Sequence, residues 1–323
     1  MFCTVDDLSW ESYPWNGYEE ISNKEQTSMT IAKAHRSAAR GCYSETGRLR
    51  KVVMCPPAFF EIVEPTNAIQ WLYYSDGLPK PNPLVMVQQH RRLVDILREE
   101  GIEVELLPLV PSLPFQHATR DVGVVIGDTI VLSNLKERTR RLEAQVAEPV
   151  LQQYKLRILV PERGFVEGGD VIVDGDRLWV GLGARTNEWG AEFLHRTFGQ
   201  DYDVIPLHFD PHYTHLDTVF GALSQGHAIL YEPAFEPSSL QHIQKAYPSI
   251  ISLTDKEQQN AGANVLCLSP DKVISIAENP SVNEQLAQLG FEVVTISYSE
   301  VIKSGGSVRC DTLPVERESV SLK

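Results

Sequence analysis

Two residues of this 323-residue chain have side chains that together could perform nucleophilic catalysis, Cys310 and His215. In such a pair the thiolate attacks and the imidazole transfers protons. Cys310 follows Gly305 and Gly306 in the stretch GGSVRC, and glycines there permit close approach of backbone and substrate. A lone cysteine is more often a small buried hydrophobe, so the catalytic interpretation depends on a fold that brings the two residues together.

Carboxylates accompany this pair at related positions along the chain, namely Asp121, Glu167 with Asp170, and Asp217. Several carboxylates around one thiol make a poor oxyanion site and a good cation site. They match a planar guanidinium through bidentate hydrogen bonds, whereas an ester or peptide hydrolase needs donors where this chain supplies acceptors. The residues therefore predict a cysteine that attacks the carbon of a bound guanidinium or amidinium. Asp170 is included among the predicted substrate-binding residues.

Two other interpretations of these residues compete with this one. His215, Asp217 and His212 could be metal ligands, but zinc prefers three or four ligands and only this local cluster is on offer. We therefore expect neither a metal nor another cofactor. The stretch from Glu167 to Asp170 could be only a tight turn into a strand, because Gly-Gly-Asp is common turn chemistry.

A repeat positions these residues. A polar residue precedes each of several predicted β-hairpins, at Asp121, Asp170, Asp217 and Asn264, and Cys310 continues the series near the end of the chain. The spacing of roughly 46 to 49 residues is typical of repeat architectures. Residues far apart in sequence would thereby face one common axis, where a site can form.

Each hairpin is followed by a helix-like stretch and one further strand, so the predicted unit is ββαβ. The predicted hairpin strands are 122–126 with 129–132, 171–173 with 178–180, 219–223 with 228–231, and 265–268 with 273–276. The predicted helices are 85–100, 136–153, 187–198, 238–246 and 282–290, and the third strands are 102–109, 156–160, 202–205, 250–253 and 292–297.

The first unit lacks its hairpin, which is complete if Leu49–Cys55 pairs with the segment around Cys310. The two ends of the chain would then close a ring and remove exposed sheet edges. Recurring helices argue against an all-β propeller. The pattern predicts an α/β fold, a five-bladed pseudo-symmetric α/β propeller of ββαβ repeats. We expect residues 44–323 to form one catalytic domain and residues 1–43 to be an N-terminal extension of unknown role.

Composition limits the classes of function. The net charge of −14 rules out a chain-wide basic surface for nucleic acid and disfavours anionic membranes, but it is compatible with a small cationic substrate. No apolar run approaches the ~18 residues of a membrane span. The 5 cysteines form no CxxC pair, so reduced thiols in a cytoplasmic protein are expected. Self-association into a homo-oligomer stays open.

Five motifs, in this order, carry a resemblance to a known family: Thr119–Asp121, Glu167–Asp170, Gly183–Asn187, His215–Asp217 and Gly305–Cys310. Each is weak alone, but together they are specific. Over residues 46–317 the chain resembles the pentein superfamily of guanidine-modifying enzymes, in particular the arginine deiminase and dimethylarginine dimethylaminohydrolase group. The family fold is a five-bladed α/β propeller.

The resemblance implies a role for each matching residue. Cys310 would be the nucleophile, His215 the general acid and base, and Glu167 the group that orients His215 or balances its charge. Asp121 and Asp217 would grip guanidinium nitrogens. The positions that hold the substrate α-carboxylate in arginine deiminases correspond to Arg140 and Arg185, for which the alternative is a surface ion pair.

The implied activity is that of a hydrolase acting on linear amidines, in arginine metabolism, through a covalent thiouronium intermediate. Departures from the family patterns leave the substrate open among arginine, methylarginine and a related guanidino amino acid. Ala118 stands where arginine deiminases usually carry an aromatic residue, and Asp217 is a carboxylate that dimethylarginine hydrolases typically lack. The alternatives are an amidinotransferase on the same fold and a non-catalytic propeller that binds a partner.

Overall fold

The structure, a computed structural model, describes residues 41–75 and 77–319. Within these residues the strands form five separate three-stranded sheets. In each sheet the central strand pairs antiparallel with one neighbour and parallel with the other. The same three-stranded unit is therefore repeated from sheet to sheet.

The strands are β1 (Leu49–Met54), β2 (Glu103–Leu106), β3 (Gly123–Ile126), β4 (Thr129–Leu132), β5 (Arg157–Leu159), β6 (Val171–Asp174), β7 (Arg177–Leu182), β8 (Asp203–His208), β9 (Phe220–Ala222), β10 (His227–Leu230), β11 (Ser249–Ser252), β12 (Leu266–Ser269), β13 (Lys272–Ile276), β14 (Glu292–Ile296) and β15 (Leu313–Arg317). The first sheet has the order β15-β1-β2, and the second to fifth sheets are β3-β4-β5, β6-β7-β8, β9-β10-β11 and β12-β13-β14.

Helices connect the central strand of each sheet to its parallel neighbour, because a parallel pair cannot be joined by a tight turn. The α-helices are α1 (Ala68–Ser75), α2 (Pro83–Glu99), α3 (Arg141–Leu151), α4 (Glu188–Phe198), α5 (Pro237–Ala246), α6 (Asp255–Gln259) and α7 (Pro280–Gln288). The predicted elements correspond to observed ones with ends that differ by a few residues. The observed helix α3 is shorter than the predicted helix 136–153, because a 3-10 turn at Arg138–Arg140 precedes it.

Tight turns set the register of two hairpins. β3 and β4 are joined by Gly127 and Asp128, and β6 and β7 by Gly175 and Asp176. Gly127 and Gly175 have φ values of 60° and 65°, which a residue with a side chain rarely adopts. The turn glycines in the sequence therefore mark where the strands reverse.

The first and last described strands pair with each other. β1 runs antiparallel to β15, with Val53 opposite Leu313, and parallel to β2. This confirms the predicted pairing between the two ends of the chain. It also fixes the position of Cys310, which lies three residues before β15.

Clusters of buried apolar side chains join each sheet to the next. One cluster lies between the first and second sheets, another between the second and third, and a large one extends from the third through the fourth to the fifth. A further cluster contains strands of the fifth and first sheets, including Leu266 and Val52. The packing thus returns from the last sheet to the first.

Three short 3-10 turns precede the first strand of the second, third and fourth sheets. They are Thr119–Val122, Gly168–Asp170 and Leu216–Thr218. The residues of these turns are buried. The predicted site carboxylates Asp121 and Asp170 therefore lie at equivalent positions of their sheets, as does Asp217.

Most of the predicted N-terminal extension, residues 1–40, lies outside the described residues. The backbone of Cys42 exchanges hydrogen bonds with Gly127 at 2.9 and 2.7 Å, so the chain is attached to the second sheet from this point. The boundary at residue 43 stays a prediction. The cysteines in the described part of the chain are all free, and no helix there is long and apolar enough to cross a membrane.

Replacing Leu313 with alanine should lower the free energy of unfolding by about 2–5 kcal/mol, because this fully buried leucine packs where the last strand meets the first. Leu142→Ala is the matched control, since Leu142 is 54% exposed and should change stability by less than about 0.5 kcal/mol. Urea denaturation measures both. A loss for Leu313→Ala as small as that of the control would contradict the pairing of the chain ends.

Candidate active site

The starts of the hairpins bring the predicted site residues together. An inner cavity of about 30 Å³ is lined by several of them, namely Cys310, His215, Asp121, Arg140 and Arg185. Glu167 contacts His215 through its imidazole Nε2, and Asp217 lies beside Cys310. All of these side chains are buried. The repeat therefore collects residues from distant parts of the sequence at one site, as predicted.

Cys310 is 4% exposed, and its neighbours include the Asp217 carboxylate and the Asn264 side-chain amide. Its Sγ lies 3.9 Å from Asp217 Oδ2 and 3.1 Å from Asn264 Nδ2. Burial raises the pKa of the Cys310 thiol well above its usual value, and the carboxylates of Asp217 and Asp121 raise it further. In the empty site the group is a thiol, and a cation or a hydrogen-bond donor is needed to favour the thiolate.

Gly306 explains the glycines that precede the cysteine. A Cβ atom at this position would lie 2.9 Å from Cys310 Cβ and 3.1 Å from Sγ. Only a glycine allows the backbone to pass this close to the sulfur. Gly169 has the same function beside His215, where a Cβ atom would lie 2.8 Å from the imidazole Cγ.

His215 forms its strongest contact with Glu167. His215 Nε2 lies 2.7 Å from Glu167 Oε2, and His215 Nδ1 lies 3.5 Å from Asp121 Oδ1. Since Glu167 engages Nε2, Nδ1 is the nitrogen left for proton exchange with a bound substrate.

The charges around His215 favour its protonated form. Burial alone would lower the pKa of His215, but the carboxylates of Asp121, Asp170 and Glu167 outweigh burial and raise it to about 9. Burial would likewise raise the pKa of Glu167. The Arg185 guanidinium and the hydrogen bond with His215 overcome that effect and hold this pKa well below its usual range. The site therefore contains a protonated imidazole beside an ionised Glu167.

Asp121 and Asp217 each have one oxygen that is hydrogen-bonded to an arginine and one that accepts no hydrogen bond, although Asp121 Oδ1 lies 3.5 Å from His215 Nδ1. Arg140 Nη1 donates to Asp121 Oδ2 at 2.7 Å, and Arg309 Nη1 donates to Asp217 Oδ2. Oδ1 of each aspartate is buried and accepts no hydrogen bond from any residue of the described chain. Buried carboxylate oxygens normally have partners, so these two are candidates for contact with a ligand.

Arg140 and Arg185 both reach the site, but their guanidinium groups are engaged by carboxylates. Arg140 binds Glu143 as well as Asp121, with Nη2 at 2.8 Å from Glu143 Oε2. Arg185 Nη1 donates to Glu167 Oε2 at 3.0 Å, and its Nη2 donates to the Thr66 carbonyl at 2.6 Å. Neither forms the exposed ion pair that was the alternative. Their predicted contact with a substrate carboxylate requires an exchange of partners.

The Asp170 carboxylate accepts hydrogen bonds from two backbone N–H groups. Its Oδ2 accepts from the Thr186 N–H at 3.0 Å and its Oδ1 from the Leu216 N–H at 2.9 Å. Burial raises the pKa of Asp170 to about 6, against the effect of His215 and of these hydrogen bonds. Asp170 thus ties the segments that carry Arg185 and His215, and substrate contact for it stays a prediction.

Three residues of the site were missed by the sequence reasoning. Asn264 contacts the thiol, Arg309 pairs with Asp217 and also lies 3.2 Å from Glu45, and Asp311 lines the inner cavity. A signal was available for Asn264, which occupies the position equivalent to the site aspartates. Asn264 was missed because its side chain carries no charge, and the candidate residues were chosen for their charge.

Asp311 adds a further carboxyl group to the site. Its Oδ2 accepts a 2.7 Å hydrogen bond from the Tyr298 hydroxyl, and its Oδ1 accepts none from the described residues. Burial raises the pKa of Asp311 well above its usual value. Burial therefore favours the neutral form of this group beside the thiol.

Asp121, Glu167 and His215 have ligand atoms within 4.8 Å of one another, a spacing that a metal ion could use. Two of these groups are already paired with arginines, Glu167 with Arg185 and Asp121, through Oδ2, with Arg140. A cation at this point would compete with two guanidinium groups. His212, the other predicted ligand in the metal alternative, lines a different cavity.

That outer cavity, of about 340 Å³, adjoins the inner one. Thr214 and Gly305 line both, and Ile69 and Tyr213 line the outer one alone. Asn67 and Gln70 belong to the walls of the inner cavity and donate to the Ser304 carbonyl at 2.9 and 2.8 Å. The segment that begins α1 therefore covers the thiol side of the site.

The raised pKa of His215 predicts a pH-dependent stability. The folded state holds this proton more tightly than the unfolded chain, so the stabilisation is complete below about pH 6.5 and is lost as pH rises through about 9. Wild type should lose roughly 3 kcal/mol more than His215→Gln over this interval. Urea denaturation at a series of pH values measures the difference.

The control for this titration is His90→Gln. Burial lowers the pKa of His90 to about 4, so His90 is neutral in both states above pH 6.5 and its replacement should leave the wild-type pH profile intact. Parallel profiles for wild type and His215→Gln would show that His215 is not protonated in the folded protein.

The chain is similar to characterised and uncharacterised proteins. It is 35% identical to the uncharacterised protein YkgA of Bacillus subtilis over 85% of this chain and 95% of that protein. It is 28% identical to N(G),N(G)-dimethylarginine dimethylaminohydrolase of Mycobacterium tuberculosis, over 92% and 96%. The structure of the N-terminal domain of ArgZ, a cyanobacterial arginine dihydrolase, matches with a TM-score of 0.75 and 27% identity, over 83% of this chain and 97% of that one.

A family model provides the assignment. The model for N,N dimethylarginine dimethylhydrolase, eukaryotic, matches residues 81–317, which include every residue of the site described above except those near α1 and Glu45. Because this match spans most of the chain, the protein belongs to the dimethylarginine dimethylhydrolase family, within the pentein superfamily of guanidine-modifying enzymes.

Proposed function

We propose that the protein is a cysteine-dependent hydrolase that cleaves a C–N bond of a guanidino amino acid, arginine or a methylarginine. The observation that carries this proposal is a pair of buried oxygens that accept no hydrogen bond from the described residues, Asp121 Oδ1 and Asp217 Oδ1. They belong to two aspartates that lie close to Cys310. Two fixed acceptors suit the N–H groups of a guanidinium, whose carbon would then lie within reach of the sulfur.

The charge of the substrate would activate the nucleophile. The Cys310 thiol is disfavoured as an anion by burial and by Asp217 and Asp121. A bound guanidinium places a positive charge between these carboxylates and the sulfur, which lowers the cost of the thiolate. Substrate and thiolate thus favour each other, and the thiol stays unreactive when the site is empty.

In the first step the Cys310 thiolate attacks the guanidinium carbon and forms a C–S bond. His215, protonated because its pKa is raised to about 9, gives a proton through Nδ1 to the departing nitrogen, and the C–N bond breaks. Ammonia or a methylated amine leaves. The remaining carbon is held on Cys310 as a thiouronium.

In the second step His215, now neutral, takes a proton from a water molecule that attacks the thiouronium carbon. The C–S bond breaks, the sulfur leaves as the thiolate and a ureido product is released. Glu167 keeps the imidazole oriented and stabilises its protonated form through the 2.7 Å contact with Nε2. One water is consumed for each amine released. The Cys310 thiol gives its proton to solvent when the substrate binds, and the second proton of the attacking water restores the thiol when the ureido product leaves.

Entry of the substrate requires that the cover over the site move. The inner cavity of about 30 Å³ has room for little more than a water molecule, so the segment containing Thr66 and Asn67 has to shift. This movement would free Arg185 Nη2 from the Thr66 carbonyl. The freed donor is suited to the α-carboxylate of an amino-acid substrate, and Arg140 would supply positive charge nearby.

The relatives support the choice of substrates. The M. tuberculosis relative is a dimethylarginine dimethylaminohydrolase, and the ArgZ domain is part of an arginine dihydrolase. Ala118 lines the inner cavity, where its small side chain leaves room for a substituent on the guanidinium. Arginine and its methylated forms are therefore the compounds to test first.

We also propose that the five sheets form a closed five-bladed α/β propeller. The apolar clusters between successive sheets, and the cluster that joins the fifth sheet to the first, support a ring. The site residues that precede the hairpins would then surround the axis of the propeller.

The proposed activity is tested by incubating the purified protein separately with arginine, monomethylarginine, asymmetric dimethylarginine and agmatine. Citrulline together with ammonia, methylamine or dimethylamine is expected from at least one amino-acid substrate. Inclusion of glycine as an acceptor separates a hydrolase from an amidinotransferase, which would form guanidinoacetate in place of citrulline. No product from any compound would contradict an enzymatic function.

Cys310→Ser should abolish this turnover, because a hydroxyl is a far poorer nucleophile in a site without a strong base. Cys267→Ser is the matched control, since Cys267 is also buried and free but lies in β12 and lines neither cavity. The rate of product formation should fall below detection in the first variant and stay near that of wild type in the second. Equal rates in wild type and Cys310→Ser would rule out the covalent mechanism.

A further inference from the structure

Asn264 is a buried residue that carries no charge and takes part in none of the proposed proton transfers. It is 1% exposed and precedes β12, the first strand of the fifth sheet. Asp121, Asp170 and Asp217 occupy the equivalent positions before the second, third and fourth sheets. The position next to the thiol thus carries the neutral amide where the other three carry acids.

Hydrogen bonds fix the orientation of this amide. Asn264 Oδ1 accepts from the backbone N–H groups of Arg309 and Cys310, both at 3.1 Å. Backbone N–H groups can only donate, so the oxygen has to face them and the NH₂ group has to point the other way. Nδ2 then lies 3.1 Å from Cys310 Sγ and 3.2 Å from the Asp217 carbonyl. Its two hydrogens have one acceptor each.

Among the side chains of the described residues, Asn264 supplies the hydrogen-bond donor to the sulfur, and the Ser307 backbone N–H is a second donor that lowers the pKa of the thiol. Several titratable or charged side chains face Cys310 or the groups next to it, namely Asp217, Asp121, Asp311, His215, Arg309 and Tyr298. Arg309 is engaged by Asp217 and Glu45, and Tyr298 by Asp311. His215 lines the same cavity, and its Nε2 is engaged by Glu167.

We propose that Asn264 is a further catalytic residue, whose Nδ2–H donates to Cys310 Sγ and stabilises the thiolate. This proposal rests on the proposed function, because it takes Cys310 as the nucleophile. An amide supplies a hydrogen bond without a full positive charge, so it stabilises the anion and does not repel a cationic substrate. A lysine or arginine at this position would compete with the guanidinium, and an aspartate would disfavour the thiolate.

The second role of the side chain is to hold the turn that carries the nucleophile. With Oδ1 on two consecutive N–H groups, Asn264 ties the fifth sheet to the segment before β15. A purely structural residue would need only this oxygen. The donor to sulfur and the acceptor for the backbone can therefore be separated by Asn264→Asp, which keeps an oxygen for the N–H groups and removes the NH₂ group.

The experiment is alkylation of Cys310 by iodoacetamide across a range of pH, followed by mass spectrometry of the peptide that contains Cys310. No substrate is needed, so the result is independent of whether the proposed hydrolysis occurs. Loss of one hydrogen bond to a charged sulfur should raise the apparent pKa of the thiol by roughly 1–2 units in Asn264→Ala, and by more in Asn264→Asp, whose carboxylate also disfavours the thiolate. An unchanged midpoint in both variants would overturn the proposal.

Asn187→Asp is the matched control. Asn187 Oδ1 also accepts from two backbone N–H groups, those of Phe165 and Gly190, but Asn187 is not a neighbour of the thiol. The same chemical change should leave the Cys310 midpoint where it is in wild type. A shift as large as that of Asn264→Asp would assign the effect to general destabilisation and contradict the direct contact.

A measurement on unmodified Asn264 covers the case in which its variants fail to fold. In protein labelled with ¹⁵N-asparagine, the Asn264 side-chain NH₂ resonances should shift with pH at the midpoint found by alkylation of wild type. The shift should be absent from Cys310→Ala. Resonances that do not follow the thiol titration would show that the amide does not donate to the sulfur.

Discussion

The site depends on buried carboxylates that are only partly neutralised. Asp121 and Asp217 each give one oxygen to an arginine of the protein, and the other oxygen accepts no hydrogen bond from the described residues. A buried carboxylate without any counter-ion would take up a proton, whereas one that is fully paired could not bind a substrate cation. The internal arginines offset part of the negative charge and leave one oxygen of each acid as an acceptor for a guanidinium. The reactivity of Cys310 then follows from whether that cation is present.

The fold supplies this arrangement through repetition. Each site residue that precedes a hairpin is placed by its own three-stranded sheet, and the sheets pack on one another through apolar clusters. Cys310 is placed by the last strand, which pairs with the first. Cys310 therefore reaches the carboxylates only when the ends of the chain are joined, so the stability of the β1–β15 pair and the geometry of the site are linked.

Much of the fold and of the candidate site could be predicted from the sequence, because the patterns that mark them are local or periodic. The hairpins, their turn glycines and the polar residue before each one follow from patterns a few residues long, and their spacing predicted one shared site. The helix α6 was missed although Thr254 and Glu257 form a capping box, a signal that the sequence contains. The partners of Arg140 and Arg185 could not be predicted, because ion pairs with Asp121 and Glu167 depend on which turns meet in space. Asn264 was missed for a different reason, since only its position in the repeat, and no charge, marks it.

The central claim is that Cys310 forms a covalent bond with the carbon of a guanidinium held by the surrounding carboxylates. Rapid acid quenching during turnover, followed by intact-protein and peptide mass spectrometry, tests it most directly. The account predicts an adduct of the amidino type on Cys310 that forms and decays within one turnover, and that is absent from Cys310→Ser. A time course in which product accumulates with no adduct on Cys310 at any time point would contradict it.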